Sequence, residues 1–98
     1  MNLSERTVSV LKNFAKINPS LVFRKGSTLR TVSPQKTILG EAAVEEVFPQ
    51  DFAIYELNKF LGTLSLFQDP DLLFTQHAIV IKSGSSQSKY FFADPDMV

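Results

Sequence analysis

Arg6, Lys12 and Lys16 fall on one side of a helical stretch that also carries Ser9 and Asn13, and Lys59 with Thr63 repeats the arrangement in a second stretch. Cations interleaved with small hydroxyl and amide groups suit phosphate oxygens, because they neutralise and hydrogen-bond a polyanion without reading its bases. Four such cations would hold nucleic acid weakly and without sequence preference, each adding roughly one unit to the salt dependence of binding. Weak contact is what movement along DNA requires. The same pattern is that of any solvated helix face, and charge spacing alone favours this simpler reading.

Other chemistries find less support. Glu41, Glu45, Glu46 and Asp51 are numerous, but no two are paired with a substrate-shaped set of polar partners, so they read as solubilising charges. Asp69-Pro70-Asp71 and Asp94-Pro95-Asp96 lack the ligand-and-glycine spacing of a calcium loop and read as turns. Neither Ser83–Ser88 nor Lys25-Gly26-Ser27 has the order of a phosphate-binding loop that hydrolyses nucleotides. His77 stands alone between two apolar runs, as a turn or strand-end residue would, and the chain has no Cys. A zinc site or a serine triad would have to be assembled almost entirely from carboxylates. Phe23 and Phe91-Phe92 could stack on bases, but few cations alternate with them and core packing is the better reading. No catalytic set, cofactor site or metal site is expected.

The elements that must position the cations follow from periodicity. Leu3, Thr7 through its methyl, Val10, Leu11, Phe14 and Ile17 recur at helical spacing, predicting a helix over residues 4–17 capped by Ser4 and stopped at Asn18-Pro19. Leu57, Phe60, Leu61, Leu64 and Phe67 predict a second helix over 57–67, with Gly62 either allowing a close approach or simply tolerated. Leu21–Phe23 and Leu29–Val32 alternate around Lys25-Gly26-Ser27, predicting a hairpin. Ile38-Leu39 with Ala42-Ala43 reads as a third strand, weakened by Gly40, and Phe48-Pro49-Gln50 as a boundary. Phe52–Tyr55, Leu72–Thr75, Ala78–Ile81 and Tyr90–Phe92 supply further strands, with Ser83–Ser88 as a loop tip. The order suggests two structural copies of about 45 residues and an α+β fold, two amphipathic helices packed on antiparallel sheets.

With 98 residues the chain makes a single domain, and 44% apolar residues with nine Phe suffice for one core. Such a domain buries only roughly 60–68% of its unfolded surface. Ten basic and ten acidic residues give no net charge, which argues against a basic tail that grips nucleic acid tightly. The polar start, Met1-Asn2-Leu3-Ser4-Glu5-Arg6, lacks a signal-peptide run, and no segment approaches the ~20 apolar residues of a membrane span. A soluble, intracellular protein is expected.

The strings Val10-Leu11-Lys12-Asn13-Phe14-Ala15-Lys16-Ile17-Asn18, Ala53-Ile54-Tyr55-Glu56-Leu57-Asn58-Lys59-Phe60-Leu61-Gly62-Thr63-Leu64-Ser65-Leu66 and Phe92-Ala93-Asp94-Pro95 resemble the sliding clamps of T-even-like phages, the DNA polymerase processivity factors. The resemblance spans essentially the whole chain. It implies a clamp domain over residues 1–98, matching the N-terminal half of a family subunit, three of which close a ring around duplex DNA. The helices would line the hole, turning Arg6, Lys12, Lys16 and Lys59 towards phosphates, and the sheets would form the outer wall and subunit joints. The implied mechanism is topological: the ring tethers DNA polymerase at high effective concentration, and no bond is made or broken. Implied partners are double-stranded DNA, DNA polymerase, a clamp-loader ATPase and other clamp subunits, in the cytoplasm of an infected host cell. The family's pocket for polymerase peptides belongs to the later domain. Two other classes remain: a non-catalytic module that binds proteins through its sheet edges without DNA contact, and, well below it, a small hydrolase.

Overall fold

The computed structural model describes residues 1–95. Helix α1 spans Glu5–Ile17, followed by strands β1 (Leu21–Phe23), β2 (Gly26–Val32), β3 (Leu39–Phe48) and β4 (Phe52–Ile54); helix α2 (Leu57–Ser65) precedes β5 (Asp71–Phe74), β6 (Ala78–Ser83) and β7 (Ser86–Phe91). The ladders are antiparallel, in orders β1-β4, β2-β3 and β5-β6-β7, which makes the domain α+β.

Both helices form where periodicity places them, with one shortened end. Ser4 caps α1 by accepting from the Thr7 amide, and Leu11 and Phe14 are buried on its inner stripe. Leu57, Phe60, Leu61 and Leu64 are buried on α2. That helix closes at Ser65 rather than at residue 67, because the Leu66 and Phe67 amides bond to the carbonyls three residues back, a tightening common at helix ends.

Strand pairing differs from the local reading. The expected β1–β2 hairpin does not form: β1 pairs with β4, with Leu21 opposite Ile54 and Phe23 opposite Phe52, while β2 pairs with β3. The two ladders are successive parts of one bent ribbon. At Gly26 the chain takes φ 121°, open to glycine, and turns a corner instead of reversing. Asp51 holds that corner by accepting from the Lys25 amide at 2.7 Å and facing Arg24 at 3.4 Å. The reversal occurs instead at residues 33–38, where the Ser33 hydroxyl oxygen accepts from the amides of Thr37 and Ile38.

The third strand runs well past Ala43, to Phe48. Gly40 gives α1 room: a Cβ there would lie 3.1 Å from both Ile17 Cδ1 and Phe14 Cε1. Gly26 opposes Phe48 while Thr28 opposes Ala43, so β3 bulges across residues 44–47. The serine loop is also shorter than expected. Ser83 pairs with Ser86 across Gly84-Ser85, and residues 86–88 belong to β7. Asp71 begins β5 instead of ending a turn. The second Asp-Pro-Asp string extends to Asp96, outside the described residues.

The core is aromatic at its centre. Phe23 stacks on Phe52 with centroids 4.5 Å apart and meets Phe48 edge-on at 5.1 Å; Phe52 also contacts Phe74 and Phe92. These rings join the bent ribbon to the β5-β6-β7 sheet. Phe23 is therefore a core residue, but Phe91 is not: it is 71% exposed, with the Lys89 ammonium 5.9 Å from its ring centroid. Strand alternation sends Tyr90 and Phe91 to opposite faces.

Candidate nucleic-acid interface

The helices touch each other, and α1 also packs on β2 and β3. With Thr7, Leu11 and Phe14 buried, the helical period leaves Glu5, Arg6, Ser9, Lys12, Asn13 and Lys16 exposed. None of these side chains is plugged into the interior, so the face deduced from periodicity exists as a surface.

Its members are not equivalent. Arg6 reaches β3, where its Nη1 donates to the Ala43 carbonyl at 2.6 Å; that acceptor is uncharged and takes one N–H of the five the guanidinium offers. Lys16 lies in the last turn of α1, where a cation is favoured by the helix dipole. Lys12 borders a small apolar cleft of about 130 Å³ between the helices, beside Val8, Leu61, Leu64 and Ser65. On α2, the Lys59 ammonium lies 2.8 Å from the Glu56 carboxylate. The hydrogen bond and charge of Glu56 raise the pKa of Lys59, which stays protonated. Thr63 is half-buried and spends its proton on the Lys59 carbonyl at 3.0 Å, leaving only its acceptor side for a ligand.

One anchor of this face was not recognised among the carboxylates. Glu46 is not a solubilising charge: it is 9% exposed, and the bulge in β3 aims it at the start of α1. One oxygen accepts from the Ser4 amide at 2.6 Å and the other from the Thr7 hydroxyl at 2.5 Å. Burial raises its pKa, but the hydrogen bonds from Thr7 and Ser4 outweigh this and hold it below the ordinary carboxylate value. Thr7, assigned inward for its methyl, thus also carries a buried polar contact. The only sequence signal was the alternation of Val44, Glu46 and Phe48 along one strand face. Glu41 pairs with Arg30 at 2.9 Å on the surface, and His77 is exposed in the bend before β6.

Among the described residues no cluster of three or more potential metal ligands occurs, and no helix is long and apolar enough to cross a membrane. Residues 4–97 match the family described as DNA polymerase processivity factor. The chain belongs to that family. It is 38% identical over 100 residues to the sliding clamp of Enterobacteria phage T4, covering all of this chain and 44% of that protein. It is 34% identical over 99 residues to the sliding clamp of Vibrio phage KVP40, again covering all of this chain and 45% of the relative. A match of 39% over 69 residues links it to the sliding clamp of Escherichia phage RB69, covering 70% of this chain and 30% of that one. The chain therefore spans less than half the length of the curated relatives it matches.

Proposed function

We propose that residues 1–98 form a clamp domain, equivalent to the N-terminal half of a family subunit, that helps enclose duplex DNA and tether a replicative DNA polymerase. The observation that carries this reading is the α1 face: Arg6, Lys12 and Lys16 are exposed on a helix whose Thr7, Leu11 and Phe14 are buried on the opposite side, in a member of the processivity-factor family. Lys12 and Lys16 are the principal phosphate contacts, Arg6 and Lys59 contribute from tethered positions, and Ser9, Asn13 and Thr63 supply hydrogen-bonding groups. Binding is independent of sequence, because none of these groups is held on a rigid reading edge. The role is non-catalytic and topological. Other clamp subunits complete the ring, a clamp-loader ATPase opens it, and the site of action is the cytoplasm of the infected host cell. Family membership favours this over a module that binds proteins without touching DNA.

Titrating the isotope-labelled chain with two duplexes of equal length and unrelated sequence tests the reading. Amide shifts should concentrate at residues 6–16 and 59–63, with equal affinity for both duplexes. Replacing Lys12 and Lys16 together by Gln should weaken association and flatten its salt dependence by about two units of log–log slope. Shifts confined to the exposed faces of the sheets, or no effect of the double replacement, would overturn it.

A further inference from the structure

Among the described residues, Lys59 alone of the four helix-face cations is held by a carboxylate. Glu56 sits at the N-cap of α2, yet its side chain caps no amide; it reaches forward to the Lys59 ammonium instead. We infer that Glu56 masks Lys59 and so sets how strongly the helix faces hold duplex DNA, an inference that rests on those faces being the phosphate-facing surface. Both side chains are exposed, 57% for Glu56 and 74% for Lys59. An exposed pair of this kind is easily exchanged, so a phosphate can compete for the ammonium. The carboxylate released by that exchange stays beside the incoming phosphate and repels it. The pair therefore brings no net charge to the surface and releases little counterion, leaving that work to Arg6, Lys12 and Lys16. A clamp that must slide gains from such a limit, since every unopposed cation steepens the hold on the backbone. Tyr90 flanks the pair from β7: its ring meets Phe60 edge-on at 5.2 Å, and its phenol pKa is raised by burial and by the Glu56 charge, so it stays neutral and adds no competing charge.

Four proteins decide the matter: the unaltered chain, Glu56→Gln, Lys59→Gln and the two combined, each titrated with a mixed-sequence duplex at several salt concentrations. Lys12→Gln/Lys16→Gln serves as a fifth, and circular dichroism verifies that each retains its helices. Glu56→Gln should tighten binding by about two- to threefold at 0.1 M salt and steepen the log–log salt slope by about 0.9. On the Lys59→Gln background the same change should leave the slope where it was. Equal steepening on both backgrounds would make Glu56 an ordinary repelling charge and overturn the inference. So would no change from Glu56→Gln while Lys12→Gln/Lys16→Gln still weakens binding, an outcome that leaves the phosphate-facing reading intact. If Lys12→Gln/Lys16→Gln is itself without effect, that reading falls and the masking role falls with it.

Discussion

Replacing Glu46 by Ala removes both oxygens that hold the start of α1. The Ser4 amide loses its acceptor at 2.6 Å, and the buried Thr7 hydroxyl loses its acceptor at 2.5 Å. Each hydrogen bond to a charged acceptor contributes about 1.5–3 kcal/mol. Two of them, less the cost of keeping a carboxylate out of water, put the expected loss at about 3 kcal/mol. Against a total of about 5–15 kcal/mol for a small domain this is a large fraction. At about 4–8 °C per kcal/mol, Tm should fall by roughly 12–24 °C. Glu46→Gln keeps one acceptor without the charge and should cost about half as much. The pH dependence gives an independent reading. Because the folded pKa lies below the ordinary value of 4.5, the unfolded chain takes up the proton first as pH falls. The Glu46 contribution is therefore complete above about pH 4.5 and is lost as pH drops through the folded pKa. Urea unfolding followed by circular dichroism, from pH 7 to pH 3, should show the gap between the unaltered chain and Glu46→Gln closing on the acid side. A Glu46→Ala loss below about 0.5 kcal/mol at pH 7, within the range of ordinary surface changes, or a gap that stays constant with pH, would refute the assignment.

Gly40→Ala should destabilise by about 1 kcal/mol, because its Cβ would lie 3.1 Å from Phe14 Cε1 and Ile17 Cδ1 and both side chains must shift to admit it; urea midpoints measure this. Gly62→Ala should stabilise by about 0.5–1 kcal/mol, since a Cβ there meets nothing within 4 Å and the helix gains a better former. A rise in Tm checks it, and a fall would mean that the outer face of α2 is more crowded than described. Phe52→Ala should cost about 3–5 kcal/mol in chemical denaturation, because that ring joins Phe23, Phe74 and Phe92 across the ribbon and the second sheet.

Much of the candidate face was legible because helices are local. A 3.6-residue period and a cap at Ser4 involve neighbours a few positions away, so the exposure of Arg6, Ser9, Lys12, Asn13 and Lys16 follows once Leu11 and Phe14 turn inward. What the period does not contain is the state of each cation. Arg6 is tethered by a carbonyl 37 residues away, which no spacing within α1 announces. Lys59 and Glu56 are three apart, and that pairing was within reach of the helical i,i+3 relation.

Residue order by itself determined the two amphipathic helices, the break at Pro49 and the positions of most strands, since each rests on side-chain type and short-range repetition. Tertiary structure decided which strands pair. The Leu21–Phe23 and Leu29–Val32 runs carry equal local support for a hairpin with each other, and only packing around Phe23, Phe48 and Phe52 sends them to partners further along the chain. It likewise decided the role of Glu46, a charge that would stay in water were it not for two donors brought to it from 42 and 39 residues away. The physical reason is common to both: pairing register and the solvation of a carboxylate depend on groups distant in sequence, and those groups become neighbours only when the core closes.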